Sequence, residues 1–155
     1  MQPSQVRIMQ EDLESRFKKL NVETAWLEGG EDQIGDTFRA LMPVNKSGDC
    51  VLLEVMVTPL DEVMDLLDIF ISLIMKVGPG YEQLKEAMLE WNIDSPIGAF
   101  GVCGPDRTFY HRYTFPFPSD ALPDELAEQT AYLIDQCYAV AARVFPEAVR
   151  ISGHK

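Results

Sequence analysis

Three side chains with catalytic chemistry, Cys103, Asp106 and His111, lie within one short stretch of the chain. A thiol, a carboxylate and an imidazole can act together as nucleophile, orienting group and base. In a strand, however, His111 shares one side with aromatic residues, namely Phe109, Tyr113 and Phe115. Asp106 is more simply a turn former. We therefore expect His111 to stack among aromatic rings with a single hydrogen bond, and we predict no catalytic residue.

Two glycine-rich segments could bind phosphate groups. Gly78-Pro79-Gly80 lies between a predicted strand and a predicted helix, where free backbone N–H groups can hold an anion. It lacks the lysine and hydroxyl residue of a phosphate-binding loop. Gly98, Gly101 and Gly104 recur every third residue, but in a strand and its turn rather than at the start of a helix. We expect both segments to be structural, and we predict no cofactor.

Metal ligands are sparse in the sequence. Cys50, Cys103 and Cys137 are far apart and form no C-x-x-C pair, so neither a disulfide framework nor a zinc site is indicated. His154 lies near the end of the chain with no second histidine nearby. The acidic residues from 61 to 68 do not follow the ligand order of a calcium loop, and we expect them to be solvated. We predict no metal site.

The spacing of apolar residues defines the elements that position these side chains. Apolar positions three and four residues apart predict helices, and alternating positions between turn residues predict strands. Residues 60–67 fit either a short helical turn or an acidic loop. The predicted helices cover 4–20 with Ser4 as the cap, 79 or 80 to 91, and 123–145 with Pro146 closing the helix; the predicted strands cover 25–28, 34–44, 51–58, 68–77, 97–103 and 108–115.

These elements predict an α+β fold. We expect an antiparallel sheet of about five strands with the terminal helices packed on one face, in the order α-β-β-β-β-α-β-β-α. No linker or repeat divides the chain. Residues 1–150 are therefore predicted to form one domain, followed by a flexible tail over 151–155.

The two sides of the strand over 51–58 differ in polarity. Its first side is wholly apolar, and its second side mixes Leu52 and Met56 with Glu54 and Thr58. If the terminal helices cover the first side, the second exposes an apolar patch that a monomer seldom leaves bare. In that case we expect a second copy or another polypeptide to cover the patch. The alternative is that the helix from Tyr81 to Trp91 covers the second side.

Further sequence features are spread over more than half of the chain. They include the strand Ile69–Ile74, a helix ending in Glu90-Trp91-Asn92, a glycine at Gly98, the turn Pro105-Asp106-Arg107, and Pro146 after the last long helix. In these features the chain resembles the YbjN-like family and the wider set of proteins with the type III secretion chaperone-like fold. That resemblance implies a small, acidic, frequently dimeric protein that holds or regulates other polypeptides. It supplies no active-site residue.

The sequence therefore favours a non-catalytic protein-binding module, chaperone-like or regulatory. We expect it to form a homodimer, to grip another polypeptide by groove packing or strand addition, or both. The predicted partner-binding residues are Met56, Phe70, Ile74, Tyr81 and Trp91. The alternative function is a small enzyme or ligand carrier with a pocket between the sheet and the middle helix, lined by Cys103, His111 and Tyr113.

Composition limits the partners and the location. The formal charge of −12 and a sequence pI near 4.4 repel phosphate backbones and anionic lipids, so we expect neither nucleic acid nor membrane as a partner. The first residues show no apolar core of a signal peptide and no cleavage site. We therefore expect a cytoplasmic location.

Overall fold

A computed structural model describes residues 1–153 of the chain. Over these residues, three helices and six strands follow one another in the predicted order. The helices are α1 (Pro3–Lys19), α2 (Tyr81–Asp94) and α3 (Pro123–Ser152). The strands are β1 (Glu23–Leu27), β2 (Thr37–Pro43), β3 (Cys50–Pro59), β4 (Met64–Ile74), β5 (Ala99–Cys103) and β6 (Thr108–Pro118).

The six strands pair antiparallel in one sheet, in the order β1-β2-β3-β4-β6-β5. The predicted α+β class and element order are thus confirmed, with one strand more than the approximate count. After β4 the chain passes through α2 to one edge of the sheet, where it forms β5. Strand β6 then returns between β5 and β4. The predicted hairpin joins β5 and β6, with Cys103 opposite Thr108.

All three helices of the described chain pack on one side of the sheet, which we call the helix face. α3 packs on α1, α2, β4 and β6. α2 belongs to this layer because the Trp91 ring contacts the rings of Phe100 and Phe109, which stack on each other on the helix face. The position of the terminal helices is confirmed, and the alternative that the middle helix covers the second side is wrong. The apolar row of β3 is fully buried under the helices: Val51, Leu53, Val55 and Val57.

The start of α1 differs from the prediction. The helix begins at Pro3, which suits a first helical position because proline has no N–H to satisfy. The Gln5 side chain accepts a hydrogen bond from the backbone N–H of Gln2 at 3.3 Å. Ser4 lies inside the first turn, so its predicted role as the cap is wrong.

The connection between β3 and β4 is a short acidic turn. The carboxylate of Asp61 accepts hydrogen bonds from the backbone N–H groups of Val63 and Met64, both at 2.8 Å. This Asx-type turn ends where β4 begins at Met64, ahead of the predicted start at Asp68. Residues 64–67 are therefore strand, and the loop alternative applies only up to residue 63.

The last helix is longer than predicted. Pro146 removes one backbone hydrogen bond, yet α3 continues to Ser152. Beyond the proline, Ala148 and Ser152 are fully buried, and the Ser152 carbonyl accepts a hydrogen bond from the N–H of Gly80 at 3.0 Å. The predicted end at Pro146 is wrong because tertiary packing outweighs local propensity. Residues 151 and 152 of the expected tail form the last turn of α3, and residues 154 and 155 lie outside the described part.

Candidate interaction face

The side of the sheet opposite the helices carries no helix within residues 1–153, and we call it the open face. Side chains alternate between the two sides of a strand, so the residues between the buried positions of β3 point to this side. The register sets them beside the matching rows of the neighbouring strands. The central open-face residues are Arg39, Leu41, Leu52, Glu54, Met56, Leu66, Asp68, Phe70, Tyr110, Arg112 and Thr114.

A buried carboxylate lies near the centre of the open face. Arg112 donates two hydrogen bonds to Asp68, from Nε at 2.7 Å and from Nη2 at 2.8 Å, and the Thr114 hydroxyl donates a third. The Asp68 side chain is 8% exposed, whereas that of Arg112 is 50% exposed. This bidentate pair fixes the guanidinium across two strands and neutralises the carboxylate within the face.

An aromatic stack lies beside this ion pair. The rings of Phe70 and Tyr110 are stacked with their centroids 4.6 Å apart. The Tyr110 side chain extends over Gly101 of β5, where an added Cβ would lie 2.4 Å from the phenolic oxygen. Gly101 thus permits a close approach of the ring to the backbone, in keeping with the structural role that we expected for it.

Charge is balanced on the open face. Arg39 and Glu54 form a second ion pair at 3.0 Å, and Glu23 lies on the edge strand β1. Together with Asp68 and Arg112, two arginines face three carboxylates, so the charges of the strand residues on this side sum to −1. The whole chain carries −12. Nearly all the excess negative charge therefore lies on other surfaces.

Three of the predicted partner-binding residues come from β3 and β4. Met56 and Phe70 lie on the open face, and both are half-buried. Ile74 does not join them, because a register shift between Ser72 and Ile74 places it opposite Phe109 of the helix face. Ile74 is 6% exposed. The β-bulge therefore removes it from the surface that simple alternation predicted.

The other two predicted residues, Tyr81 and Trp91, belong to α2 and lie away from the open face. The Tyr81 ring has the Arg107 guanidinium over it, 4.0 Å from its centroid, and the Lys85 ammonium at 4.8 Å. Trp91 packs on the helix face with its ring centroid 6.0 Å from that of Phe100. The structure does not bring these two residues together with Met56 and Phe70.

The residues of the alternative pocket do not converge. Cys103 is exposed at the end of β5, on the side of the open face. His111 is fully buried on the helix face, and Tyr113 lies on that same face. Asp106 is exposed in the hairpin turn. Because the sheet separates Cys103 from His111, the thiol and the imidazole cannot act on one substrate.

His111 is a structural residue on the helix face. Its Nε2 donates a hydrogen bond to the carbonyl oxygen of Ile97 at 2.8 Å, and its ring meets the Phe100 ring edge-on at 5.0 Å. Burial lowers the pKa of His111, and the hydrogen bond to Ile97 opposes this effect. Its Nδ1 has no hydrogen-bond partner among the described residues. The single hydrogen bond predicted for His111 is confirmed, whereas its ring contact is edge-on with Phe100 rather than the predicted stack.

The remaining candidates for chemistry are dispersed or buried. Within residues 1–153 no three His, Cys, Asp or Glu side chains are grouped closely enough to hold a metal ion, and His154 lies outside that range. Burial raises the pKa of the Cys137 thiol to about 12, so this thiol stays protonated. Gly80, the last residue of the glycine segment before α2, contacts the end of α3: an added Cβ would lie 1.7 Å from the Ile151 carbonyl oxygen.

Two acidic residues that we expected to be solvated are buried. Asp65 is 2% exposed and Asp68 is 6% exposed. Asp65 pairs with the terminal amine of Met1, and Asp68 pairs with Arg112. Both residues stand among leucine and β-branched residues in the sequence, and this position indicates burial. The acidic residues just before them hid this indication.

No family model matches this chain, and no curated protein is significantly similar to it. None of the helices within the described residues is both long and apolar enough to cross a lipid bilayer.

Proposed function

We propose that this chain is a non-catalytic protein-binding module, chaperone-like or regulatory, whose open face packs against another polypeptide. One observation carries the proposal: half-buried apolar side chains, among them Leu52, Met56 and Phe70, lie on the side of a six-stranded sheet that no helix of the described chain covers. Apolar side chains left on one face of a sheet mark an interaction site, and here they alternate with the Arg39–Glu54 and Asp68–Arg112 ion pairs, a mixture of polar and apolar groups that is typical of a protein–protein interface.

The size of the open face limits what can cover it. With about 4.8 Å between strands and about 3.3 Å per residue, a six-stranded sheet of this length offers on the order of 600 Å² before side-chain relief is counted. Each partner in a standard stable interface buries about 800 Å². An occupant must therefore engage most of the face, as a second sheet does and a single extended segment does not.

Charge favours a second copy of this chain as the occupant. Two copies that meet through their open faces bring together surfaces of net charge −1, and the helices of each copy stay on the outside of the assembly. The repulsion expected for two chains of charge −12 is then smallest at the contact. We propose a homodimer in which two sheets pack face to face.

The resemblance noted above supports the same role. Holding or regulating other polypeptides is what the resemblance to the YbjN-like family and the type III secretion chaperone-like fold implies. We propose membership of that group on the residues from Ile69 to Pro146 that carry the resemblance. We also propose a cytoplasmic location, as expected from the sequence.

The test uses a charge placed at the centre of the open face. Met56 pairs with Asp68 across β3 and β4, so Met56→Lys adds a cation beside a carboxylate and should leave the fold intact. Met75→Lys is the matched control, because Met75 follows β4 and is 59% exposed. Light scattering after gel filtration gives the mass, and circular dichroism verifies the fold.

We expect the wild-type chain and Met75→Lys to elute at twice 17.5 kDa and Met56→Lys at the mass of one chain. A wild-type chain that keeps the mass of one copy at the highest concentration reached contradicts the second copy as the occupant. A folded Met56→Lys variant that remains dimeric contradicts the open face as the interface.

A further inference from the structure

In the edge strand β5, some of the backbone hydrogen-bonding groups already bond to a side chain. Edge strands offer unpaired N–H and C=O groups to other chains. At Phe100 these groups are already bonded: Asn92 Nδ2 donates to the Phe100 carbonyl oxygen at 3.0 Å, and the Phe100 N–H donates to Asn92 Oδ1 at 2.6 Å. The side-chain amide of Asn92 therefore makes the two bonds that a neighbouring strand would make at that residue.

The register of β5 shows which pairing Asn92 prevents. In an antiparallel ladder, alternate residues direct both backbone groups to the same edge. Phe100 directs its groups outward to Asn92, so Val102 does the same. If two copies joined their β5 edges antiparallel around Gly101, Phe100 of each copy would lie opposite Val102 of the other. Each of the four hydrogen bonds in that pairing needs a backbone group of Phe100, and Asn92 occupies both groups in each copy.

Packing holds Asn92 at this edge. Asn92 lies in the last turn of α2, and the preceding residue, Trp91, has its ring centroid 6.0 Å from those of both Phe100 and Phe109. The amide is thus presented to β5 by a helix that is anchored on the sheet.

We propose that Asn92 is an edge guard, which prevents β5 from pairing with the β5 edge of a second copy. The consequence is that copies of this chain do not associate through the β5 edge by a pairing that uses the backbone groups of Phe100. The guard acts whether or not the open face binds a partner.

The test removes the amide in the Met56→Lys background, where association through the open face is disrupted. Asn92→Ala exposes both backbone groups of Phe100, and Asp94→Ala is the matched control at the exposed end of the same helix. We expect the weight-average mass of Asn92→Ala to rise with concentration in sedimentation equilibrium. The Met56→Lys parent and the Asp94→Ala control should show no such rise.

A further variant identifies the edge. Val102→Pro removes the outward N–H of β5, a change that an edge strand tolerates, and it should abolish the association caused by Asn92→Ala. Folded Asn92→Ala with the mass of its parent at every concentration overturns the proposal, and so does association that survives Val102→Pro.

Amide hydrogen exchange tests the guard in the wild-type chain, independently of any variant. The Phe100 amide, bonded to Asn92, should exchange at least tenfold more slowly than the outward amide of Val102. Equal exchange rates for the two amides overturn the proposal.

Discussion

At the residue scale, the two partners of the Asp68–Arg112 ion pair differ in their exposure to solvent. Arg112 extends into solvent, whereas Asp68 is almost fully buried. Removing one partner of a pair costs most when it leaves a buried charge without its counterion. The two halves of this pair should therefore differ in their effect on stability.

At concentrations where the protein is a single copy and the open face is uncovered, we expect Arg112→Ala to lower the free energy of unfolding by about 2 to 3 kcal/mol and Asp68→Asn by about 1 kcal/mol. The first variant leaves the Asp68 carboxylate with only the Thr114 hydroxyl, and the second lets Arg112 turn toward water. Urea unfolding measures both. Arg150→Ala is the control, since its pair with Glu147 is exposed on both sides, and it should have no measurable effect. A larger loss for Asp68→Asn than for Arg112→Ala would contradict this account.

The buried imidazole of His111 predicts a pH dependence. Burial lowers the pKa of His111 in the folded chain below the value of about 6.5 that it has when unfolded. The unfolded chain then binds the proton more readily, so the free energy of unfolding falls as the pH drops below about 6.5. His111→Gln keeps a donor for the Ile97 carbonyl and does not titrate.

Chemical unfolding at about pH 7.5 and about pH 5.5 tests this effect, in a range above most carboxylate titration. The wild-type chain should lose more stability than His111→Gln between the two values. Equal losses in the two proteins would show that His111 does not contribute to the pH dependence.

The sequence predicted residue environments only where simple periodicity holds. His111 was placed correctly because β6 alternates regularly from Phe109 to Phe115. Ile74 was placed on the wrong side because residues 71–74 are all buried, so their pattern carries no mark of the β-bulge. The ion pair of Asp68 with Arg112 joins residues 44 positions apart, and only the register of β4 and β6 brings them together.

At the element scale, the contact between the start of α2 and the end of α3 determines how far the last helix runs. Gly80 lies against the backbone of Ile151 and donates to the Ser152 carbonyl. Local propensity predicted that this helix ends at Pro146, since a proline inside a helix costs about 3 kcal/mol. The contact with Gly80 comes from a distant part of the chain, and a pattern within the helix cannot show it.

Gly80→Ala tests this contact. The added Cβ would lie 1.7 Å from the Ile151 carbonyl oxygen, so the end of α3 must move and its buried residues lose contacts. We expect a loss of about 2 to 4 kcal/mol in the free energy of unfolding. Gly30→Ala is the control, because an added Cβ there meets no atom within 4 Å. Equal stability of Gly80→Ala and Gly30→Ala would contradict the role assigned to this contact.

At the scale of the whole molecule, the arrangement of layers decides the function that we propose. The sequence predicted a sheet with two apolar sides, but it left open which side the middle helix covers. The side that α2 covers depends on the packing of Trp91 against Phe100 and Phe109. This contact joins a helix to a hairpin, and local sequence patterns do not specify it. With α2 beside α1 and α3, one whole side of the sheet has no helix of the described chain over it.

The most direct test of this account is the solvent accessibility of the Met56 methyl group, measured by NMR with a soluble paramagnetic probe. Met75 is the reference, because its side chain is exposed beyond the end of β4. At high protein concentration we expect the probe to broaden the Met75 methyl signal strongly and the Met56 signal weakly, and dilution should make Met56 more sensitive. Strong broadening of the Met56 signal that is the same at every concentration would contradict the claim that a second copy covers the open face.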